Sequence, residues 1–244
     1  SYAYRSAVVM HLSMEMPGAS AGSTAASVTK TITTVVSGIS RYHVLRVDAS
    51  GGAEAEMSES ARTMRTTIDG QTTTTTLPAM APSKVYLAAD GGERGNVASN
   101  YGAYGLQTMS ALPAGAVAPG ARWDASSAVS LPSTLGLNLA PMHMSAHYVF
   151  SKYLHAHGER VAAIDSTGVL QWASDSSFQG VPVHMHIVES MNGQSLLGLM
   201  SGRSVSSQAH VDMRIFMSGQ ASGGTSAAIR MHMVMSVSMD PAGW

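Results

Sequence analysis

Apolar and polar residues alternate along most of this chain, and the pattern is clearest near its end. The odd positions of 227–239 are apolar, namely Ala227, Ile229, Met231, Met233, Met235, Val237 and Met239. The even positions carry Ala228, Arg230, His232, Val234, Ser236 and Ser238. Because successive side chains on a strand point to opposite faces, the pattern predicts a strand with one apolar and one polar face.

The whole last third, 181–239, predicts four such strands joined by three turns, at Asn192-Gly193, at Ser201-Gly202 and over 219–224. Further upstream, the same alternation predicts strands that are separated by turns at Gly158-Glu159 and Thr167-Gly168. These strands cover 123–131, 137–154 (as one strand or two), 160–166 and 169–174.

The first half of the chain begins with a predicted strand over 7–16, which Pro17-Gly18 ends. Strands over 27–37 and 41–49 follow, and Gly38 is expected to separate them.

Asp69-Gly70 is a two-residue hairpin signal, because glycine tolerates positive φ. We therefore predict a hairpin of 57–68 with 72–77, and prefer it to a helix starting near residue 57, where the apolar spacing also fits a helix. A short strand over 83–88 completes this half.

The middle of the chain is rich in Gly, Asn, Tyr and Pro and shows little alternation, although 96–112 could hold a short helix. We predict an N-terminal antiparallel β half over 1–89, an irregular linker or docking segment over 90–122 and a C-terminal antiparallel β half over 123–244. The two halves could also form one continuous domain.

The fold class predicted from this pattern is all-β. We expect long curved antiparallel sheets built of hairpins, as a half-barrel or a sandwich, with at most one or two short helices. The 13 residues of 227–239 alone would span about 43 Å, so the sheet has to twist.

Composition excludes several classes of function. Of the 244 residues 12% are charged and the formal net charge is -1, without the clustered positive stripe that a nucleic-acid partner requires. There is no cysteine, so disulfides and thiolate metal sites are excluded. No apolar run approaches the roughly 20 residues of a membrane-spanning helix. The abundance of Ser, Thr, Ala and Gly with little Lys is typical of extracytoplasmic β proteins, either soluble or peripherally associated with a membrane.

The segment from Leu112-Pro113 through Val117, Pro119-Gly120 and Arg122-Trp123 is similar to the entry motif of a group of uncharacterised bacterial secreted or lipoprotein-like domains. As in that group, a tyrosine-bearing strand (148–153), an Ala-Ala-Ile strand (162–164) and a Gly-Arg-x-x-x-Ser segment (202–207) follow. Ala121-Arg122 replaces an acidic residue of the group's motif. The resemblance, over about 112–217, implies a curved antiparallel sheet of the half-barrel kind used by periplasmic lipoprotein carriers, and it brings no catalytic residues.

Ten histidines and 18 methionines invite a copper-binding hypothesis, because imidazole and thioether ligands suit copper in an oxidising compartment. The clusters are Met142-His143-Met144 with His147, His155 with His157, His184-Met185-His186, and Met231-His232-Met233. Adjacent Met and His point to opposite faces, so they cannot share an ion within one strand. His184 and His186 form the best candidate pair, yet we expect structural histidines on a polar face and predict no metal site and no cofactor.

No catalytic site is predicted, because the chain has no G-x-S-x-G elbow and Gly91–Gly95 lacks the lysine and the flanking strand and helix of a phosphate loop. The leading functional hypothesis is therefore a non-enzymatic, extracytoplasmic accessory subunit, docked on other protein subunits of a larger and membrane-bound assembly such as a respiratory or photosynthetic complex. The alternatives are a carrier of lipid or another hydrophobic ligand in a half-barrel and a copper-binding Met/His module.

Overall fold

The computed structural model describes residues 1–16, 28–87, 93–94, 112–113, 115–129, 142–178, 181–220 and 226–242. Within these ranges the chain forms one antiparallel sheet that is not closed. Its 13 strands are β1 (Tyr2–Met16), β2 (Val28–Val47), β3 (Ala53–Glu59), β4 (Arg62–Ile68), β5 (Gln71–Leu77), β6 (Met80–Leu87), β7 (Glu93–Arg94), β8 (Arg122–Val129), β9 (Met142–Ala156), β10 (Glu159–Phe178), β11 (Val181–Gly198), β12 (Ser204–Gln220) and β13 (Ser226–Pro241).

The strands follow the order β7-β6-β3-β2-β1-β13-β12-β11-β10-β9-β8, and β1 lies against β13, so both ends of the chain meet in the middle of the sheet. The long β2 pairs with β4 along its first part and with β3 along its second part, and β5 pairs only with β4. The all-β prediction is confirmed. In the ranges above there is no helix long and apolar enough to cross a membrane. The proposed linker over 90–122 lies largely outside the described residues, and the domain division stays a prediction.

The Asp69-Gly70 hairpin is confirmed, with both residues at positive φ between β4 and β5. The expected strand over 57–68 is wrong in one respect, since β3 ends at Glu59 and β4 begins at Arg62. This break lets β3 and β4 pair with different parts of β2. The predicted helix over 96–112 and the turns at Pro17-Gly18 and over 219–224 fall mainly on residues that the structure does not describe.

Three glycines that we expected to end strands lie inside them instead. Gly38 is within β2, Gly168 within β10 and Gly193 within β11, so 181–239 contains three strands rather than four. A Cβ at Gly193 would lie 2.7 Å from the carbonyl oxygen of Gln208 on β12. Glycine there permits the close approach of a neighbouring strand and does not mark a turn.

One face of the sheet carries most of the buried apolar side chains, and the other is mostly polar. Along β9 the even positions from Met142 to Tyr148 are buried and the odd positions between them are exposed, as expected for a half-buried strand. The core at the centre of the sheet is formed by residues of the neighbouring strands β1, β12 and β13 on this face, namely Val8, Val211, Met235 and Val237. A second core, centred on β10 and β11, consists of Met142, Met144, Leu170, Met185 and Ile187.

Candidate functional site

Histidine–carboxylate pairs join neighbouring strands on the polar face. His147 Nδ1 lies 2.6 Å from Asp124 Oδ1, between β9 and β8. His184 Nδ1 lies 2.8 Å from Asp175 Oδ1, between β11 and β10. All four side chains are mostly exposed, so these contacts are cross-strand pairs that add modestly to sheet stability.

A third pair borders a groove of about 490 Å³ on the polar face, where His232 Nε2 lies 2.9 Å from Asp212 Oδ2. The hydrogen bond with His232 lowers the pKa of Asp212. Two arginines also line the groove, and Arg214 lies 3.7 Å from Asp212 while Arg230 lies 3.7 Å from Glu15. Since each arginine already faces a carboxylate, the groove has no excess of positive charge with which to select an anion.

His184 and His186, the best candidate metal-binding pair in the sequence, make separate contacts on the polar face. His184 contacts Asp175, whereas His186 lines the polar-face groove. Met185 between them is 5% exposed and packs on the apolar face, so adjacent Met and His do point to opposite faces. Among the residues the structure describes, no group of three or more His, Asp or Glu could hold a metal ion.

Asp48 fixes the turn between β2 and β3. Its Oδ1 accepts hydrogen bonds from the backbone N–H groups of Ser50 (2.9 Å) and Gly52 (3.0 Å) and from the Ser50 hydroxyl (2.6 Å). Its Oδ2 accepts the Tyr86 hydroxyl at 2.5 Å. These donors, the Ser50 hydroxyl first, lower the pKa of Asp48 from 3.8 to about 2. Asp48 is therefore a structural carboxylate.

The hydrogen bonds of Asp48 should make the free energy of unfolding depend on pH in acid. Because the folded pKa of Asp48 is depressed, its contribution is present above about pH 4 and is lost as the pH falls towards 2. Asp48→Asn should flatten the pH dependence of the free energy of unfolding in this window, measured by urea titration at several pH values. The exposed Glu56→Gln is the control variant. Identical slopes for Asp48→Asn and the wild type would contradict this role.

The apolar face is only partly buried around the middle of β11 and β12. Trp172, Met213, Ile215 and Met217 pack against the buried core of β10 and β11, and all four side chains are only partly buried. Met191 is also partly buried, and it packs against the core at the centre of the sheet. This surface is made of flexible thioethers, branched aliphatic groups and an indole, which adapt to apolar partners of varied shape.

Glu189 lies on this same apolar surface. The register of β11 places it directly across from Leu170 on β10 and from Met213 on β12. On its own strand, Ile187 and Met191 precede and follow it on the same face. Among the described residues no hydrogen bond or ion pair of Glu189 is present, and burial raises the pKa of its carboxyl. Within the described part of the chain, Glu189 is thus a carboxylate without a partner, at the junction of two apolar cores.

A second carboxylate of the apolar face is paired. Glu59 ends β3 and Arg62 begins β4, and their side chains are 3% and 10% exposed. Arg62 Nη1 lies 3.5 Å from Glu59 Oε2, and the Ser40 hydroxyl lies 3.5 Å from Glu59 Oε1. A Cβ at Gly38 would lie 2.6 Å from Arg62 Cγ, so the glycine makes room for the arginine stem. This pair is a buried structural contact.

Neither Glu189 nor the Glu59–Arg62 pair was predicted from the sequence. Glu189 lies at an odd position of β11, as Met185, Ile187 and Met191 do, so the alternation of this strand predicts that an acidic residue is on the apolar face. The pair has no comparable signal, because its burial depends on how β3 and β4 both reach β2.

No family model and no curated protein matches this chain. A search of solved structures finds the chain similar to one titled "Crystal Structure of Pseudomonas aeruginosa OccK7 (OpdD)", at 8% identity over 100% of both chains and with a TM-score of 0.22. A likeness at that score carries no argument about fold or function.

Proposed function

We propose that this protein is a non-enzymatic, extracytoplasmic binding protein that carries a hydrophobic molecule on the apolar face of its sheet. The observation that carries the proposal is the partly exposed apolar surface around Met213, which adjoins the buried core of β10 and β11. Single exposed apolar residues need no explanation, whereas a contiguous apolar surface is typical of a binding site.

The chemistry of the polar face supports a binding role over a catalytic one. The carboxylates of the polar-face groove face arginine or histidine, as Asp212 does with His232 and Glu15 with Arg230. Asp48 and Glu159 accept hydrogen bonds that hold turns. These donors lower the pKa of both Asp48 and Glu159, and a carboxylate of such low basicity is a poor general base at neutral pH.

Binding of phenylnaphthylamine, a hydrophobic dye whose fluorescence rises in apolar surroundings, tests this function. We expect saturable binding by the wild type. Met213→Gln keeps the side-chain length but places a polar amide on the apolar face, and it should weaken binding by about fivefold to tenfold.

The matched control is Arg214→Gln, since Arg214 is the next residue of the same strand and lies on the polar face. It should leave dye affinity unchanged. Absence of saturable dye binding by the folded wild type, or equal losses in the two variants, would refute a carrier function.

A second candidate function is the accessory subunit of a larger, membrane-bound assembly. The strand β5 favours it, because its threonines Thr72–Thr76 are all exposed and, among the described strands, it pairs only with β4. An edge strand of this kind presents unpaired N–H and C=O groups to which another chain can add a strand. Co-purification with defined subunits from native membranes at fixed stoichiometry is the expected result, and its absence would eliminate this candidate.

A further inference from the structure

A carboxylate on an apolar binding surface restricts what that surface can bind. Glu189 is bordered on its face by Ile187 and Met191 along β11 and by Leu170 and Met213 across the neighbouring strands. Directly opposed residues of an antiparallel pair have Cβ atoms about 5 Å apart, so all of its nearest neighbours on this face are apolar. The Glu189 side chain is partly buried, so these apolar surroundings reduce the hydration of its carboxyl, and among the described residues no donor compensates for that loss.

We propose that the hydrophobic molecule carried on this face is a cationic amphiphile, whose protonated amine pairs with the Glu189 carboxylate while its hydrocarbon chain lies on the neighbouring methionines. The proposal rests on the carrier function argued above and names its ligand class. Charge complementarity supports it, because the amine supplies the donor that Glu189 lacks among the described residues.

The same charge disfavours two other occupants of this face. A second copy of the chain, packed by its own apolar face, would bring a second Glu189 into the same interface, where like charges repel strongly after desolvation. A fatty acid would place its carboxylate against that of Glu189, at a similar cost. An uncharged chain of equal length would fill the apolar surface but leave Glu189 without a partner.

Competition against bound phenylnaphthylamine tests the ligand class with three probes of equal chain length, dodecylamine, dodecanol and dodecanoate. We expect the wild type to bind dodecylamine at least about tenfold more tightly than dodecanol, and dodecanoate most weakly. Glu189→Gln is nearly isosteric and should reduce the affinity for dodecylamine to that for dodecanol. The affinity of Glu189→Gln for dodecanol measures any general effect of the substitution on the apolar surface, and the ratio of the two affinities reports the amine preference alone.

The control variant is Glu56→Gln, which removes an exposed carboxylate from the other face and should leave the amine preference intact. If the dye and dodecanol fail to bind, the carrier function itself fails. If they bind but dodecylamine shows no preference, or if Glu189→Gln retains the preference, the amine assignment is overturned while the carrier function stands. A wild type that sediments as a dimer and binds none of the probes would assign the face to a second copy and overturn the proposal.

Discussion

Replacing Arg62 by methionine is expected to lower the free energy of unfolding by about 3–5 kcal/mol. The substitution keeps much of the apolar stem that packs over Gly38 but removes the charge that faces Glu59. The Glu59 side chain is 3% exposed, and the Ser40 hydroxyl, 3.5 Å from Glu59 Oε1, is a weak replacement for the guanidinium. A buried carboxylate left in this state loses its hydration without recovering a strong partner.

The double variant Glu59→Leu/Arg62→Met separates this penalty from the intrinsic contribution of the pair. Buried ion pairs replaced by apolar groups of similar volume are often neutral or even stabilising. The double variant should therefore recover most of the stability that Arg62→Met loses, as measured by urea denaturation at neutral pH. A single variant that loses less than about 1 kcal/mol, or a double variant no more stable than the single one, would contradict the buried-pair account.

Met235→Ala is expected to be the most costly truncation at the centre of the sheet, with a loss of about 2–5 kcal/mol in the free energy of unfolding. Met235 is 1% exposed and packs with Val8, Val211 and Val237 from β1, β12 and β13. Truncation removes apolar contacts and leaves a cavity, which neighbouring strands held by ladder hydrogen bonds cannot close.

Met200→Ala is the matched control, because the same side chain is 87% exposed in the turn between β11 and β12. Its effect should lie within about 0.5 kcal/mol of zero. Urea denaturation of the two variants measures the difference. Comparable losses at both positions would show that the odd positions of β13 do not face the core.

The two faces of the sheet could be predicted from the sequence, because period-two alternation reports burial directly. The pattern of β13 correctly placed Met235 and Val237 in the core and His232 on the polar face. The hairpin at Asp69-Gly70 was also predictable, since positive φ at both residues is what that dipeptide favours.

Strand ends were harder to predict wherever a glycine occurred. Glycine is frequent both in turns and where two strands approach closely, and only the neighbouring strand distinguishes the two. A Cβ at Gly193 would lie too close to the Gln208 carbonyl, and a Cβ at Gly168 would lie close to the Met191 side chain. Both glycines lie inside continuous strands, where they leave room for a neighbouring strand. Neither contact is local in the sequence, and local pattern therefore favoured a turn at both places.

The candidate site shows the same division between local and non-local information. Histidine positions on the polar face followed from alternation, whereas their carboxylate partners depended on the pairing of strands, as for His184 with Asp175. Glu189 could have been singled out from the alternation of β11 alone. Its lack of a partner could not, because that depends on Leu170 and Met213 being its neighbours on β10 and β12.

Tryptophan quenching by a dibrominated stearylamine tests most directly whether the apolar face near Glu189 carries a hydrophobic molecule. Trp172 lies across from Ile187, next to Leu170 and Glu189 in the register, whereas Trp123 lies on the edge strand β8 and stacks on Tyr148.

Two double variants each keep one of the two tryptophans compared. The variant Trp123→Phe/Trp244→Phe keeps Trp172, and the variant Trp172→Phe/Trp244→Phe keeps Trp123. Bromine quenches at short range, so we expect strong, saturable quenching of Trp172 and little quenching of Trp123. Equal quenching of the two, or none of Trp172, would contradict a ligand on this face.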